Sequence, residues 1–233
     1  MSKIKPLRGA FFIHNQTIPM NQFVSLALSN GVPLDTLVLV LILPIIVTLI
    51  AFFRQVIGIK AFGIYTPAII TFAFLATNQI KYGIIIFITV IAMGTFVRYL
   101  LKQFRLLYLP RVAIMITIVG FAILALLIIG GIYNRTGLAS VSIFPILIMI
   151  TLVEKFVAVQ IEKGGRTAVI LAIETLIISV IGYYIASWPA LIGFILNYPW
   201  ISLFTIPFNI FLGKWTGLRL SEYFRFRQII KSE

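Results

Sequence analysis

The sequence contains no cysteine, a single histidine and only six acidic residues in 233. Without thiols there can be no disulfide, no thiolate ligand and no cysteine nucleophile. One histidine, His14, excludes a metal site built from several imidazoles; in its polar N-terminal setting it reads as a solvated residue, and no cofactor is expected. Charge of either sign is scarce: charged residues are 11% of the chain, where a soluble domain carries about a quarter. No repeat, low-complexity tract or linker to a soluble domain is visible. Residues 1–33, broken by HNQTIPMNQ and SNGVP, offer no clean apolar stretch for a cleavable signal peptide.

Apolar residues fill the space that charge leaves. They make up 61% of the chain, and the mean hydropathy is +1.11. Apolar runs of about 18 residues or more recur, each long enough to cross roughly 30 Å of hydrocarbon as a helix. The fold class follows: an all-α, polytopic integral membrane bundle. The net charge of +13 sets 19 Lys and Arg against six Asp and Glu. In a soluble protein that balance points to nucleic acid. Here the basic residues fall in short connections between apolar runs, so a membrane is the expected partner and nucleic acid is not.

Seven spans are predicted: Leu34–Phe53, Ala61–Thr77, Tyr82–Leu101, Val112–Ile132, Ser140–Val159, Thr167–Ser187 and Ala190–Trp215. Prolines at 44, 67, 145, 199 and 207 predict kinks whose freed carbonyls neighbouring helices must satisfy. Numbering the sides alternately places five Lys and Arg on one side (Lys3, Lys5, Arg8, Lys81 and Arg135) and fourteen on the other. Cytoplasmic connections are enriched in these residues, so the N-terminus is expected outside and the C-terminus in the cytoplasm. The chain then divides into an extracytoplasmic segment 1–33, a seven-helix transmembrane domain 34–215 and a basic cytoplasmic tail 216–233. Trp188 on the outer side, and Trp215 and Tyr223 on the inner, fit interfacial belts. Two sequons, at residues 15–17 and 134–136, read as chance matches.

Three stretches carry a resemblance: RQVIGIKAFGIYTPAIITFAF from Arg54, VRYLLKQFRLLYLPRVAIM from Val97 and FPILIMITLVEKFVAVQIEKGGRTA from Phe144. In order and spacing they resemble the bacterial seven-transmembrane domain usually fused to an inactive, transglutaminase-like extracytoplasmic domain. The resemblance runs from roughly Leu34 to the C-terminus. It implies a bacterial cytoplasmic membrane, a transglutaminase-like partner outside, and a cytoplasmic ATP-grasp ligase of the glutamate-adding kind. The positions matching the family pattern include Arg54, Gly58, Lys60, Phe62, Gly63, Pro67, Arg98, Pro110, Arg111, Pro145, Glu154, Glu162, Gly164 and Arg166. About 33 residues precede the first span, too few for the outer domain. That domain is therefore expected on a separate chain, beyond the portion of sequence at hand, or lost.

Half of the acidic residues, Glu154, Glu162 and Glu174, lie within 21 positions. Glu162 and Arg166 are four apart, a favourable helical pair. The intervening Gly164-Gly165 argues instead for a helix end and a solvated turn. A fifth span of about 20 residues has to include Glu154, and charged groups at membrane depth seek partners inside the bundle. Arg98, Arg54 and Lys60 are at compatible depth, giving a cytoplasm-facing cluster with Glu154. Snorkelling basic side chains around one interfacial carboxylate are the other reading. Glu174, seven residues past Thr167, lies roughly 10 Å into the membrane, where it must be protonated, paired or in water. An interhelical hydrogen bond to Thr66, Thr71, Tyr183 or Tyr184 is one role, and a proton or substrate site is the other. The candidate polar cluster is therefore Arg54, Lys60, Arg98, Arg111, Glu154, Glu162, Arg166 and Glu174.

Three functions compete. The expected one is a non-enzymatic membrane module that anchors or couples the outer partner to the cytoplasmic ligase. Its basic cytoplasmic face would also hold anionic lipid, each nearby Lys or Arg contributing about 1 kcal/mol. A transporter or exporter of a small peptide, amino acid or lipid-linked product would use the proline-broken spans and Glu174, but no inverted repeat is evident. An intramembrane hydrolase using Glu154 and Glu162 is disfavoured. Carboxylates eight apart on a helix point roughly 80° apart, and no His or Cys completes a metal or nucleophile site.

Overall fold

The computed structural model of the chain describes residues 21–77, 79–104, 107–132 and 143–214. His14, both sequons, Trp215, Tyr223 and the tail 216–233 lie outside the described residues, as do Lys3, Lys5, Arg8, Arg105 and Arg135. Among the described residues there is no strand, and the chain is an all-α, polytopic membrane protein. A short helix α1, Gln22–Ser29, is capped by Asn21, whose side-chain oxygen accepts from the Phe23 amide at 3.1 Å. Helix α2, Leu34–Phe52, runs on into a π-helical turn, Phe53–Ile57, closed by Gly58. There follow α3 Tyr65–Ala76, α4 Ile80–Leu101, α5 Tyr108–Ile132, α6 Ile143–Lys163, α7 Gly165–Ala186, α8 Pro189–Asn197 and α9 Ile201–Gly213.

Five elements are long and apolar enough to cross a membrane: α2 with its π turn, α4, α5, α6 and α7. Helices α8 and α9 meet at a 102° bend and make one more crossing if taken together. The expected second span, Ala61–Thr77, is helical only over the 12 residues of α3, about 18 Å of rise. Its first residues form a turn in which Ala61 (φ 41°) and Gly63 (φ 91°) are left-handed, a conformation that ends helices rather than extending them. Two of the expected kinks do not arise. Pro67 and Pro145 are each the third residue of their helices, where the missing N–H has no intrahelical partner to lose. Pro44 and Pro207 do lie inside α2 and α9. The fifth span continues four residues beyond the expected Val159 and carries Glu162 into the helix.

Packing divides the chain into two units. One consists of the residues up to Ile59 and those from Tyr184 onward. In it α2 packs on α8 and α9, and two polar clips join α2 to α9. The Ser202 hydroxyl donates to the Leu41 carbonyl at 2.8 Å, and the Asn209 amide donates to Thr48 Oγ1 at 2.7 Å. Both clips advance by seven residues on each helix, so α2 and α9 run parallel.

The other unit, Lys60–Tyr183, holds the larger core, in which α3, α4, α5 and α6 pack on one another. Helix α6 buries Met149, Leu152, Val153, Phe156, Val157 and Gln160, a stripe at helical period. Phe156 lies over Gly94, where an added Cβ would approach its ring to 3.4 Å, and stands edge-on to Phe62 with centroids 6.3 Å apart. Helix α7 is built differently. Its buried face carries Leu171 and Ile178 together with a run of small residues, Ala168, Ala172, Thr175, Ser179 and Gly182, spaced four, three, four and three apart. Such small side chains let backbones approach within a membrane, where packing and interhelical hydrogen bonds rather than hydrophobicity hold helices together.

Candidate functional site

The close approach along α7 creates the first polar site of the Lys60–Tyr183 unit. The left-handed turn before α3 leaves successive backbone amides pointing one way, the geometry of an anion-binding nest. Glu174 fills it from α7. Its Oε2 accepts from the Lys60 and Ala61 amides, each at 2.9 Å. The next amide, of Phe62, donates to Thr175 Oγ1 at 3.0 Å, and that hydroxyl gives its own proton to the Leu171 carbonyl at 2.7 Å. One turn on, the Ser179 hydroxyl shares its proton between the Thr175 carbonyl at 2.8 Å and the Pro67 carbonyl at 3.0 Å, and Thr71 Oγ1 donates to the Pro67 carbonyl at 2.8 Å. Gly182 faces Thr71 so closely that an added Cβ would lie 2.7 Å from Oγ1. Side chains on α7 thus satisfy the amides of residues 60–62 ahead of α3 and meet the first turn of α3 at Pro67. The carboxylate thus serves as acceptor for two backbone N–H groups that have no helical partner of their own.

The second site is a groove of about 670 Å³ where α4 ends and α7 begins. Arg98 and Lys102, one turn apart on and just after α4, line it with Arg166 at the start of α7. Thr95, Gln160 and Gly165 form its polar floor, and Val169 and Ile170 an apolar wall. Gly164, between α6 and α7, adopts φ 85°, which glycine tolerates. Having no side chain, it cannot cap α7. The Gly164 carbonyl accepts the first helical bond from the Ala168 amide at 3.1 Å, so the preceding amides have no partner within the helix. The Arg98 guanidinium reaches this end: its Nη1 lies 3.5 Å from the position of a Cβ on Gly165. Gln160 is 1% exposed. Its Nε2 donates to Thr95 Oγ1 at 3.4 Å, while its Oε1 is buried with no hydrogen-bond partner.

The polar cluster expected from the sequence is thus distributed. Glu174 meets Lys60, but through the backbone amide and not the side chain. Thr66 and Thr71, expected as partners of Glu174, donate instead to the carbonyls of Phe62 and Pro67. Arg98 and Arg166 share the groove. Glu154 is on the exposed side of α6 beside exposed Lys155, not inward, because the buried stripe takes the positions on either side of the pair. Among the described residues no ion pair joins Glu154 to Arg98. Glu162 and Arg166 are exposed and belong to two different helices, since α6 ends at Lys163; the helix-end reading is the one the structure has. Arg54 lies in the π turn, in the other unit, and Arg111 is half-buried in the first turn of α5. Gln160 and Thr175 were missed. Both occupy buried-stripe positions of otherwise apolar helices, a signal present in the sequence. Among the described residues no group of three His, Asp or Glu side chains could hold a metal ion.

Over residues 13–230 the chain matches the model of a family described as seven transmembrane helices usually fused to an inactive transglutaminase. The match begins some twenty positions before the first predicted span. No curated protein and no solved structure matches the chain. With its apolar helices, short α3 and broken α8–α9 pair accounted for, the chain belongs to this family of seven-transmembrane-helix domains.

Proposed function

We propose that the chain is a non-enzymatic integral membrane module that couples an extracytoplasmic transglutaminase-like partner to a cytoplasmic ATP-grasp ligase-like partner. The observation that carries the reading is the family match itself, since its domain is usually fused to an inactive transglutaminase. Fusion to an outer domain that has lost catalysis supports a holding and positioning role for the membrane domain. The fourteen-to-five division of Lys and Arg supports an orientation with the N-terminus outside and the basic C-terminus within. The engagement of Glu174 by two amides supports a structural role for the intramembrane carboxylate.

A second reading, transport of a small peptide, amino acid or lipid-linked product, draws on the 102° break between α8 and α9 and on irregular backbone ahead of α3, both features of transporter folds. The two are separated by purifying the chain from its own host in mild detergent and by reconstituting it in proteoliposomes. Co-purification of a transglutaminase-like protein and an ATP-grasp ligase is the expected result. Substrate flux that Glu174→Gln abolishes while the variant stays folded would replace the coupling role with transport.

A further inference from the structure

Helix α8 turns away from the direction in which the chain crosses. Its axis meets that of α9 at 102°, and α9 runs parallel to α2 through the Ser202–Leu41 and Asn209–Thr48 bonds. With its π turn, α2 is a 24-residue apolar span, so its axis follows the membrane normal within the usual tilt of about 20°. A helix nearly at right angles to that axis gains almost no depth over its 9 residues and lies in the plane of the bilayer. The Ser202 bond sets its level beside Leu41, six residues past Asp35 in the first turn of α2. That is about 9 Å beyond the carboxylate, the depth to which interfacial helices sink their apolar faces. The 13 residues of α9 then cover about 20 Å, the remainder of a core roughly 30 Å thick. A bend at the centre of that core would instead draw Asp35 into the hydrocarbon.

The side chains match that level. Trp188 and Trp200 flank α8, and with Tyr198 they are exposed; such rings collect where hydrocarbon meets headgroups. Helix α1 is fastened at the same place. The Asn21 amide donates to the Leu196 carbonyl at 3.4 Å, and Asn21 Nδ2 donates to the Asn197 carbonyl at 3.0 Å. The Phe23 ring lies 5.8 Å from that of Trp200. Around α1, exposed Gln22, Ser25 and Ser29 make one stripe and exposed Phe23 and Leu26 the next, the division of a helix lying at a lipid–water boundary. Neither helix carries a charged residue, so their surface suits the boundary itself and not a particular headgroup charge.

We propose that α1 and α8 form an in-plane platform seated on the headgroup–acyl boundary of the leaflet where α2 begins, and that α9 alone makes the last crossing. The full, cysteine-free chain is spin-labelled through Ala190→Cys, Phe194→Cys, Leu26→Cys or Val40→Cys, all at exposed positions. Each variant is placed in phosphatidylcholine vesicles, and label depth is read from accessibility to oxygen against a water-soluble nickel chelate. Ala190 and Phe194, one turn apart on α8, should report the same shallow depth, level with Val40 beside the bend. Leu26 should report the acyl side of the same boundary. A step of about 6 Å between Ala190 and Phe194, the rise of four helical residues, would overturn the in-plane placement. Equal depths at the bilayer centre would overturn the interfacial seat, and a Leu26 label in bulk water would remove α1 from the platform. Should a labelled variant fail to fold, Trp188→Phe with Trp215→Phe leaves Trp200 as the only indole. Phosphatidylcholine brominated on its upper acyl carbons should then cause the larger loss of fluorescence; a larger loss with bromine near the chain ends sinks the proposal.

Discussion

Glu174 Oε2 takes two consecutive amides, and both bonds end on one oxygen; that detail decides what each substitution does. Glu174→Gln keeps an oxygen able to accept both, so the variant should fold with a melting temperature near that of the wild type. Glu174→Leu removes the acceptor of two amides, the Ala61 one part-buried, and should lose about 1–3 kcal/mol, measured by thermal unfolding in detergent. A Leu variant as stable as the Gln variant would show that water or another group already serves those amides. The presence of a carboxylate here was legible, since an acidic residue inside an apolar run must be satisfied by something. Its partner was not, because the sequence advertises hydroxyls and says nothing of which backbone amides a left-handed turn leaves free. Arg98 and Glu154 illustrate the opposite case. Similar depth on two helices allows proximity without requiring it, and rotation about the α6 axis turns Glu154 outward, as the snorkelling reading has it. A double-mutant cycle on the two should give a coupling energy below about 0.5 kcal/mol.

At the scale of elements, α7 adds a run of small and hydroxylated side chains to its buried Leu171 and Ile178, whereas α6 packs through a stripe of mostly large apolar ones. Gly182 is where this matters most. Thr71 cannot swing aside to admit a Cβ, because its hydroxyl is fixed on the Pro67 carbonyl. Gly182→Val should therefore cost about 1–3 kcal/mol by overpacking, and Thr71→Ala in the same chain should recover part of the loss. Additive losses in thermal unfolding would mean the two residues do not meet. Most helices were readable from apolar run length alone. The exceptions were places where length and backbone disagree. Ala61–Ile64 are apolar and extend the expected span to Ala61–Thr77, yet Ala61 and Gly63 hold the chain in a turn. Hydropathy records what a segment dissolves in, and not its φ angles.

For the whole molecule, the parallel run of α2 and α9 constrains the number of crossings. If α2 is the first crossing and α9 the last, the total is odd. The five long helices and the broken pair make six, so short α3 has to count as the seventh, in agreement with the family. With no native cysteine, single probes report topology without background. Cys at Ser187 should label from outside in intact cells, and Cys at Gln103 or Gly164 only after permeabilisation. Outside labelling of Gly164 would reverse the orientation drawn from Lys and Arg. The ladder between α7 and the turn before α3 also bears on how the protein is made. Residues 60–62 leave the ribosome more than 110 positions ahead of Glu174 and Thr175. Throughout that interval the turn lacks the Glu174 and Thr175 acceptors of its amides, and a 12-residue helix is short for a crossing on its own. Biogenesis thus has a built-in waiting period: the second crossing is provisional until the sixth arrives. Nascent chains arrested before Glu174 should therefore leave α3 open to proteases and to the quality-control machinery of the membrane.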